Sequence, residues 1–194
     1  MRSSTLPISR RPLNLADSGA LINFYSDAAH RRRGIDALKL QKSSTGLVLA
    51  TARTDVGYFS QELQLAGASI LDVNLVEVTP DWHRCIAHML DACLHTQQSH
   101  RSVQLLADFG GQVHAGAILQ LESLLRSATR EWKVRCVTQY DARQFSEAID
   151  VDALSRFGLV LFGDYYRSGI LPNYQDSKGS DVRDEETARF STGD

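Results

Sequence analysis

What this 194-residue sequence lacks narrows its function first. It contains no Gly-x-x-x-x-Gly-Lys-[Ser/Thr] segment, and no lysine occurs between Lys42 and Lys133. Phosphoryl transfer needs glycines whose backbone N–H groups wrap phosphate, a lysine on the β- and γ-phosphates, and a hydroxyl for magnesium. Hydrolysis of ATP or GTP is therefore not expected. Gly-x-Ser-x-Gly, His-Glu-x-x-His and Gly-x-Gly-x-x-Gly are missing too, so the common hydrolase, zinc-protease and dinucleotide signatures are absent. Cysteine is sparse. Cys85, Cys93 and Cys136 form an odd set without Cys-x-x-Cys spacing, which argues against a disulfide framework and a structural zinc site. Neither sign of charge dominates: the net charge is −2, so no global field draws in nucleic acid or an anionic membrane. No apolar run approaches the roughly 20 residues of a membrane span. The opening MRSSTLPISRRPLN has basic residues but no apolar stretch of a secretory signal. A cytoplasmic, non-enzymatic domain without a cofactor is expected, with neither direct DNA binding nor membrane contact.

What is present is a regular alternation of apolar runs and amphipathic stretches. Residues 1–18, with Pro7 and Pro12, read as a flexible arm. Residues 175–194 are charged and nearly free of aliphatics, and a segment of that kind cannot offset its ordering entropy. The body is 19–174. Strands are expected at Ala20–Tyr25, Thr45–Thr51, Ile70–Val78, Ser102–Phe109, Trp132–Tyr140 and Leu159–Phe162. Helices are expected at Ala28–Gln41, Asp55–Ala66, Trp82–Leu94 and Val113–Thr129, where apolar residues recur at helical spacing. Asp55 is placed to cap its helix and Gly67 to end it. Alternation of this kind gives an α/β fold: a mostly parallel sheet flanked by helices, in a RecA-like three-layer sandwich without a Walker A loop.

Ligands bind at the carboxyl ends of the strands in such sheets. Those ends carry Tyr25, Thr51 to Thr54, Asp108 and Tyr140-Asp141. The segment Gly46–Asp55 occupies the place of a phosphate loop without its glycines, although Arg53 supplies charge and the helix start can hold a small anion. Asp108 closes an apolar strand where a nucleotide enzyme would hold magnesium. Phe24, Tyr25, Phe109, Tyr140 and Phe145 gather near the same edge, an arrangement suited to enclosing a small molecule. His88, Asp91 and His95 share one helix face, but the histidines stand about 10.5 Å apart along the axis, too far for one ion. A solvated face is expected there, and no metal site.

Four stretches carry a resemblance to a known family. The first strand ends in Phe24-Tyr25. A helix carries Leu121-Glu122-Ser-Leu-Leu. Val137-Thr-Gln-Tyr-Asp-Ala-Arg-Gln-Phe145 contains a Tyr-Asp-x-x-x-Phe segment, and the body closes on Leu171-Pro-Asn-Tyr174. In this order they resemble the DcmR-type sensory (MEDS) domain over residues 18–174. Ala20 and Ile22 stand where that family usually has a histidine and a cysteine. The resemblance implies a RecA-like fold that has lost its ATPase motif. It also implies a sensory or regulatory role, since such domains accompany DNA-binding regions, histidine kinases and sigma-factor regulators. An 18-residue arm is too short for a helix-turn-helix, so output is expected to pass to a protein partner. The residues expected at the ligand are Phe24, Tyr25, Arg53, Asp108, Phe109, Glu122, Tyr140, Asp141 and Arg143, with a homodimer also compatible. Two alternatives are a nucleotide-binding protein with a degenerate phosphate loop and a scaffold that assembles through its sheet edge.

Overall fold

The computed structural model describes residues 20–38, 45–68, 73–145, 149–162 and 170–171. The expected arm (1–18), the charged tail (175–194), the start of the third strand at Ile70 and the Pro172–Tyr174 end of the family resemblance lie outside them. The strands are β1 (Ala20–Tyr25), β2 (Thr45–Thr51), β3 (Val73–Glu77), β4 (Ser102–Gly110), β5 (Arg135–Asp141), β6 (Ile149–Asp150), β7 (Leu159–Phe162) and β8 (Ile170–Leu171). The helices are α1 (Ala28–Asp36), α2 (Val56–Leu65), α3 (Trp82–Ser99), α4 (Ala115–Glu131) and the short α5 (Val151–Leu154). Six strands form one all-parallel sheet in the order β3-β2-β4-β5-β1-β7, and β6 pairs with β8 antiparallel. This is the three-layer α/β sandwich that the alternation implied.

Right-handed crossovers decide which helices share a face. The chain runs one way along the sheet from β1 to β2 to β3, and the other way from β3 to β4 to β5 to β7. The first set of crossovers carries α1 and α2, the second α3, α4 and α5. The core divides accordingly. Ile35, Leu38, Phe59 and Leu63 pack with Leu21, Leu47, Leu49, Leu106 and Val137 on one face. Trp82, Met89, Ile118, Leu121 and Val151 pack with Ile22, Val48, Leu105 and Cys136 on the other. Adjacent strands whose crossovers leave toward opposite faces open a crevice at their carboxyl ends. Three junctions meet that condition, β3 with β2, β2 with β4 and β5 with β1, and only at β2 with β4 do the outgoing crossovers also run apart along the sheet.

Several boundaries differ from the sequence reading for local reasons. α3 runs five residues past Leu94 because Cys93 and Thr96 continue the buried stripe of Cys85, Ile86 and Met89. Trp132 does not start a strand. It caps the end of α4, and Lys133 follows with a left-handed φ of 55°, so β5 begins at Arg135. Gly67 does end α2, with φ +84°, and the Ala68 N–H donates to the Leu63 carbonyl at 2.9 Å.

α1 lies unusually close to the sheet. A Cβ on Gly34 would fall 2.2 Å from Gln139 Oε1 and 2.5 Å from its Cδ. That amide is not able to yield cheaply, because Asn23 Nδ2 donates to the same Oε1 at 2.8 Å. Gly34→Ala is therefore expected to cost about 1–3 kcal/mol through overpacking, measured by urea unfolding. On helix propensity alone the same change would stabilise by roughly 0.5–1 kcal/mol, so a gain would show that α1 does not rest on Gln139.

Candidate functional site

Side chains along a strand alternate between faces. Since Leu21, Leu49, Leu106 and Val137 face α1 and α2, so do Asn23, Tyr25, Thr51, Asp108, Gln139 and Asp141. Four apolar strands thus end in polar residues on one face, beneath the start of α1. A cleft of about 300 Å³ opens there, with Tyr25, Arg31, Thr54, Asp55, Asp108, Phe109, Asp141 and Arg143 in its lining, together with Ala52 and the Gly110-Gly111-Gln112 turn.

Asp108 is the hub. Its carboxylate is almost wholly buried, with 1% of the side chain exposed. Oδ2 accepts from Arg31 Nε at 2.7 Å, and Oδ1 accepts from the Gly110 N–H at 2.9 Å and from the Tyr25 hydroxyl at 3.2 Å. Gln139 Nε2 makes a longer contact of 3.5 Å, and its Oε1 in turn accepts from Asn23. Burial pushes the Asp108 carboxyl up to about 6, although the Arg31 charge and these hydrogen bonds pull it down. Tyr25 is raised by burial first and then by the Asp108 charge, so it stays a neutral phenol that donates.

Arg31 ties the hub to the helices. Its Nη2 donates to Asp55 at the start of α2. The guanidinium carbon lies 4.8–5.1 Å from the ring centroids of Tyr25, Tyr58 and Phe59. Burial works against its charge, but Asp108 and Asp55 outweigh that, and its proton is held more tightly than in water. Aromatic faces around a cation add attraction of their own. One side chain of α1 therefore holds β4, the β2–α2 junction and an aromatic cluster at once.

At the other wall, Asp141 accepts three hydrogen bonds from Arg143: backbone N–H at 3.0 Å, Nε at 2.9 Å and Nη2 at 2.7 Å. Burial alone would raise the Asp141 carboxyl, but these bonds and the Arg143 charge hold it below the usual range. The carboxylate also fixes the 3-10 turn Ala142–Gln144.

Five of the nine residues singled out from the sequence meet in this cleft: Tyr25, Asp108, Phe109, Asp141 and Arg143. Arg53 is exposed in the 3-10 turn Arg53–Asp55 and is not among the lining residues. Phe24, Glu122 and Tyr140 are placed elsewhere. Phe24 stacks on Tyr140 at 5.3 Å and Phe109 on Tyr140 at 5.5 Å, within the core that faces α3 and α4. Glu122 is wholly buried on α4, where it accepts from the Tyr140 hydroxyl at 2.7 Å and from Arg126 Nε at 2.9 Å. The aromatic enclosure expected around a ligand is thus mostly core packing on the opposite face of the sheet. Phe109 serves both, since β4 has a bulge between Asp108 and Gly110.

The phosphate-loop comparison also changes. Gly46 lies at the start of β2, at the far end from the cleft, where an added Cβ would meet Thr96 Cγ2 at 2.2 Å. Its glycine serves helix packing. Only Ser26 and Asp27 connect β1 to α1, and the Asp27 carboxylate accepts the His30 N–H at 2.9 Å. An acid caps that helix end, which opposes a phosphate there. Asp55 does not cap α2 as expected: its side chain makes no capping bond because it turns to Arg31. His88, Asp91 and His95 are exposed along α3, and among the described residues no group of three metal-ligating side chains forms.

Sequence reasoning passed over Arg31, Asn23 and Gln139, and used Asp55 only as a cap. A signal existed for two of them: Asn23 and Gln139 break otherwise apolar strands in phase with Tyr25 and Asp141. The chain matches no family model, no curated protein and no solved structure.

Proposed function

We propose that this chain is a non-enzymatic sensory or regulatory domain of the DcmR (MEDS) kind, which binds a small polar molecule in the cleft and passes the event to a protein partner. The observation that supports it best is the Arg31–Asp108 hub. It lines a cleft of ligand size and is bonded to α1, β4 and the start of α2 together. A ligand that replaces any one of these partners changes how the helices sit on the sheet, and a change of helix packing is a signal another protein can read. Binding suits the charged groups better than catalysis does, since the carboxylates and guanidinium groups of the lining are engaged with one another. A nucleotide role is disfavoured by the acid at the start of α1 and the missing glycine–lysine loop.

A thermal-shift screen of metabolites and nucleotides tests this. A ligand at 100 times its Kd stabilises the native state by about 2.7 kcal/mol, a shift of several degrees. Asp141→Asn is expected to melt close to wild type, because asparagine still accepts the Arg143 N–H. The shift should nevertheless weaken clearly, since the bonds to the Arg143 guanidinium lose their charge. A screen without a single hit, or a hit that Asp141→Asn leaves untouched, would remove the cleft from the function.

A further inference from the structure

We infer that the hub is a proton-operated switch: a proton on Asp108 turns its carboxyl from Arg31 to Thr51, and Arg31 withdraws to Asp55, which frees α1 from β4 at the floor of the cleft. Four side chains form a row at one level of the sheet. The register sets Asn23 of β1 beside Gln139 of β5, and Gln139 beside Asp108 of β4. It also pairs Ala50 of β2 with Ala107 of β4, so Thr51 follows beside Asp108, with about 4.8 Å between the two strands. All four residues face α1 and α2, and all four are buried.

Hydrogen bonding in this row defines two states. An ionised carboxylate offers about four acceptor sites and no donor. In Asp108 all are taken: Oδ1 by Tyr25 and Gly110, Oδ2 by Arg31 and Gln139. The Thr51 hydroxyl beside it is left out, being wholly buried without a hydrogen-bond partner. Buried hydroxyls are nearly always bonded, so the ionised state carries a cost at Thr51. A proton takes one acceptor site and makes that oxygen a donor. One of the four present donors must then leave, and the new O–H needs an acceptor. Thr51 Oγ1 is the free acceptor on the neighbouring strand. Tyr25 is the rival, but its hydroxyl is already spent donating to Oδ1. Arg31 is the donor that leaves. Protonation removes the charge that drew it, and its Nη2 keeps Asp55. Gln139 has no such freedom, since Asn23 holds its Oε1 at 2.8 Å.

Surroundings set the pH of the change. Burial lifts the Asp108 carboxyl to about 6 against the pull of Arg31 and its other hydrogen bonds. The charged and titratable groups around it are Arg31 from α1, Tyr25 from β1, Asp55 and Tyr58 at the head of α2, and Asp141 with Arg143 at the end of β5. Tyr25 and Tyr58 are both raised, by burial first, so they stay neutral here. Burial would raise Asp141, but its bonds to Arg143 hold it low and ionised. His30, one residue before Arg31, is of the type that changes charge in this range, and its ring meets Ser26 and Asp27. Above the step, Arg31 ties α1 to β4. Below it that tie is gone, while Arg31–Asp55 and Arg32–Glu62 still join α1 to α2.

The test is an NMR titration of the full chain from pH 8 to pH 4, following the Asp108 carboxyl carbon and the Arg31 Nε–H. In wild type both should move in one step, the Arg31 signal losing its hydrogen-bonded position as the carboxyl gains its proton. Thr51→Val removes the acceptor and keeps the shape. Its step should fall by about half to one pH unit, the worth of a neutral hydrogen bond. At pH 8 it should melt no lower than wild type, because the hydroxyl has no partner there to lose. Thr51→Ser keeps the hydroxyl and should titrate as wild type does. Asp108→Asn is permanently uncharged and should show the acid position of the Arg31 signal at every pH. If that variant fails to fold, the two Thr51 variants decide. A step that Thr51→Val leaves in place, or an Arg31 signal that ignores the Asp108 titration, overturns the inference. So does a step that disappears in His30→Gln, which would belong to His30. A ligand screen without hits bears on the binding role proposed above and not on the switch.

Discussion

Replacing Arg126 by methionine is expected to destabilise the fold by about 3–5 kcal/mol, the usual cost of leaving a buried charge without its partner. Arg126 projects from α4 under the sheet. Its Nε donates to Glu122 at 2.9 Å, Nη1 to the Cys136 carbonyl at 3.0 Å, and Nη2 to the Leu21 carbonyl at 3.2 Å and to Thr138 Oγ1 at 3.0 Å. Glu122 is wholly buried and has one further partner, the Tyr140 hydroxyl. Burial first, then the nearby Glu122 charge, holds the Tyr140 phenol well above its ordinary range, so it remains a donor. Without Arg126 the glutamate keeps a single neutral hydrogen bond in an apolar layer. For a domain of this size the loss amounts to a drop in melting temperature on the order of 10 °C. Exchanging all three groups together (Glu122→Leu, Arg126→Met and Tyr140→Phe) should restore most of the stability, because a buried ionic network replaced by apolar groups is often neutral. Urea unfolding of wild type, the single variant and the triple variant checks both halves. A loss under about 1 kcal/mol in the single variant would mean that Glu122 finds another partner.

The same network explains why Glu122 lies away from the cleft. Glu122 is expected at the ligand because Leu121-Glu122-Ser-Leu-Leu resembles the acidic helix of the DcmR-type family. Its partner, Arg126, is one helical turn later on the same face, and the pair at i and i+4 was visible. What the sequence does not display is that this stripe faces the sheet and that Tyr140 meets it from β5. The strands themselves were legible almost to the residue at Ala20–Tyr25, Thr45–Thr51 and Leu159–Phe162, because continuous apolar runs bounded by polar turns are the signature of strands buried on both faces. The sheet order follows from crossover handedness only once the helix faces are known. The cleft was legible in outline, as the ends of those strands. Its centre was not. Arg31 sits in Arg31-Arg32-Arg33, a run that reads as a solvated helix face, yet its first member turns inward to Asp108 and Asp55 where Gly34 lets α1 lie close over Gln139. Arg32, by contrast, pairs near the surface with Glu62 at 2.9 Å.

Arg31→Ala is expected to be the most damaging change in the cleft, and its damage should depend on pH. The variant leaves Asp108 buried with only Tyr25, Gly110 and Gln139 as partners, none of them charged. At pH 8 the carboxylate is ionised in both folded and unfolded chains, its burial is no longer offset, and the loss should reach about 3–5 kcal/mol. Asp55 also loses its partner, but a third of it is exposed, and such pairs contribute about 1 kcal/mol at most. The sign with pH follows from proton binding. Asp108 in the fold titrates at about 6, above the 3.8 of an ordinary aspartate, so the native chain binds this proton more tightly than the unfolded chain. Its contribution to stability therefore rises as pH falls through 6 toward 3.8 and declines as pH rises again. Removing Arg31 takes away the strongest influence that lowers this carboxyl, so the proton is bound more tightly still. At pH 5 the variant should carry Asp108 as a neutral acid, and its deficit relative to wild type should shrink. Adding Asp108→Asn to Arg31→Ala removes the titrating group, and the pH dependence of the deficit should vanish with it. Urea unfolding at pH 8 and pH 5 reads all three proteins. An equal deficit at both pH values would mean that Arg31 holds the fold through its stacking on Tyr25, Tyr58 and Phe59 and not through its charge on Asp108.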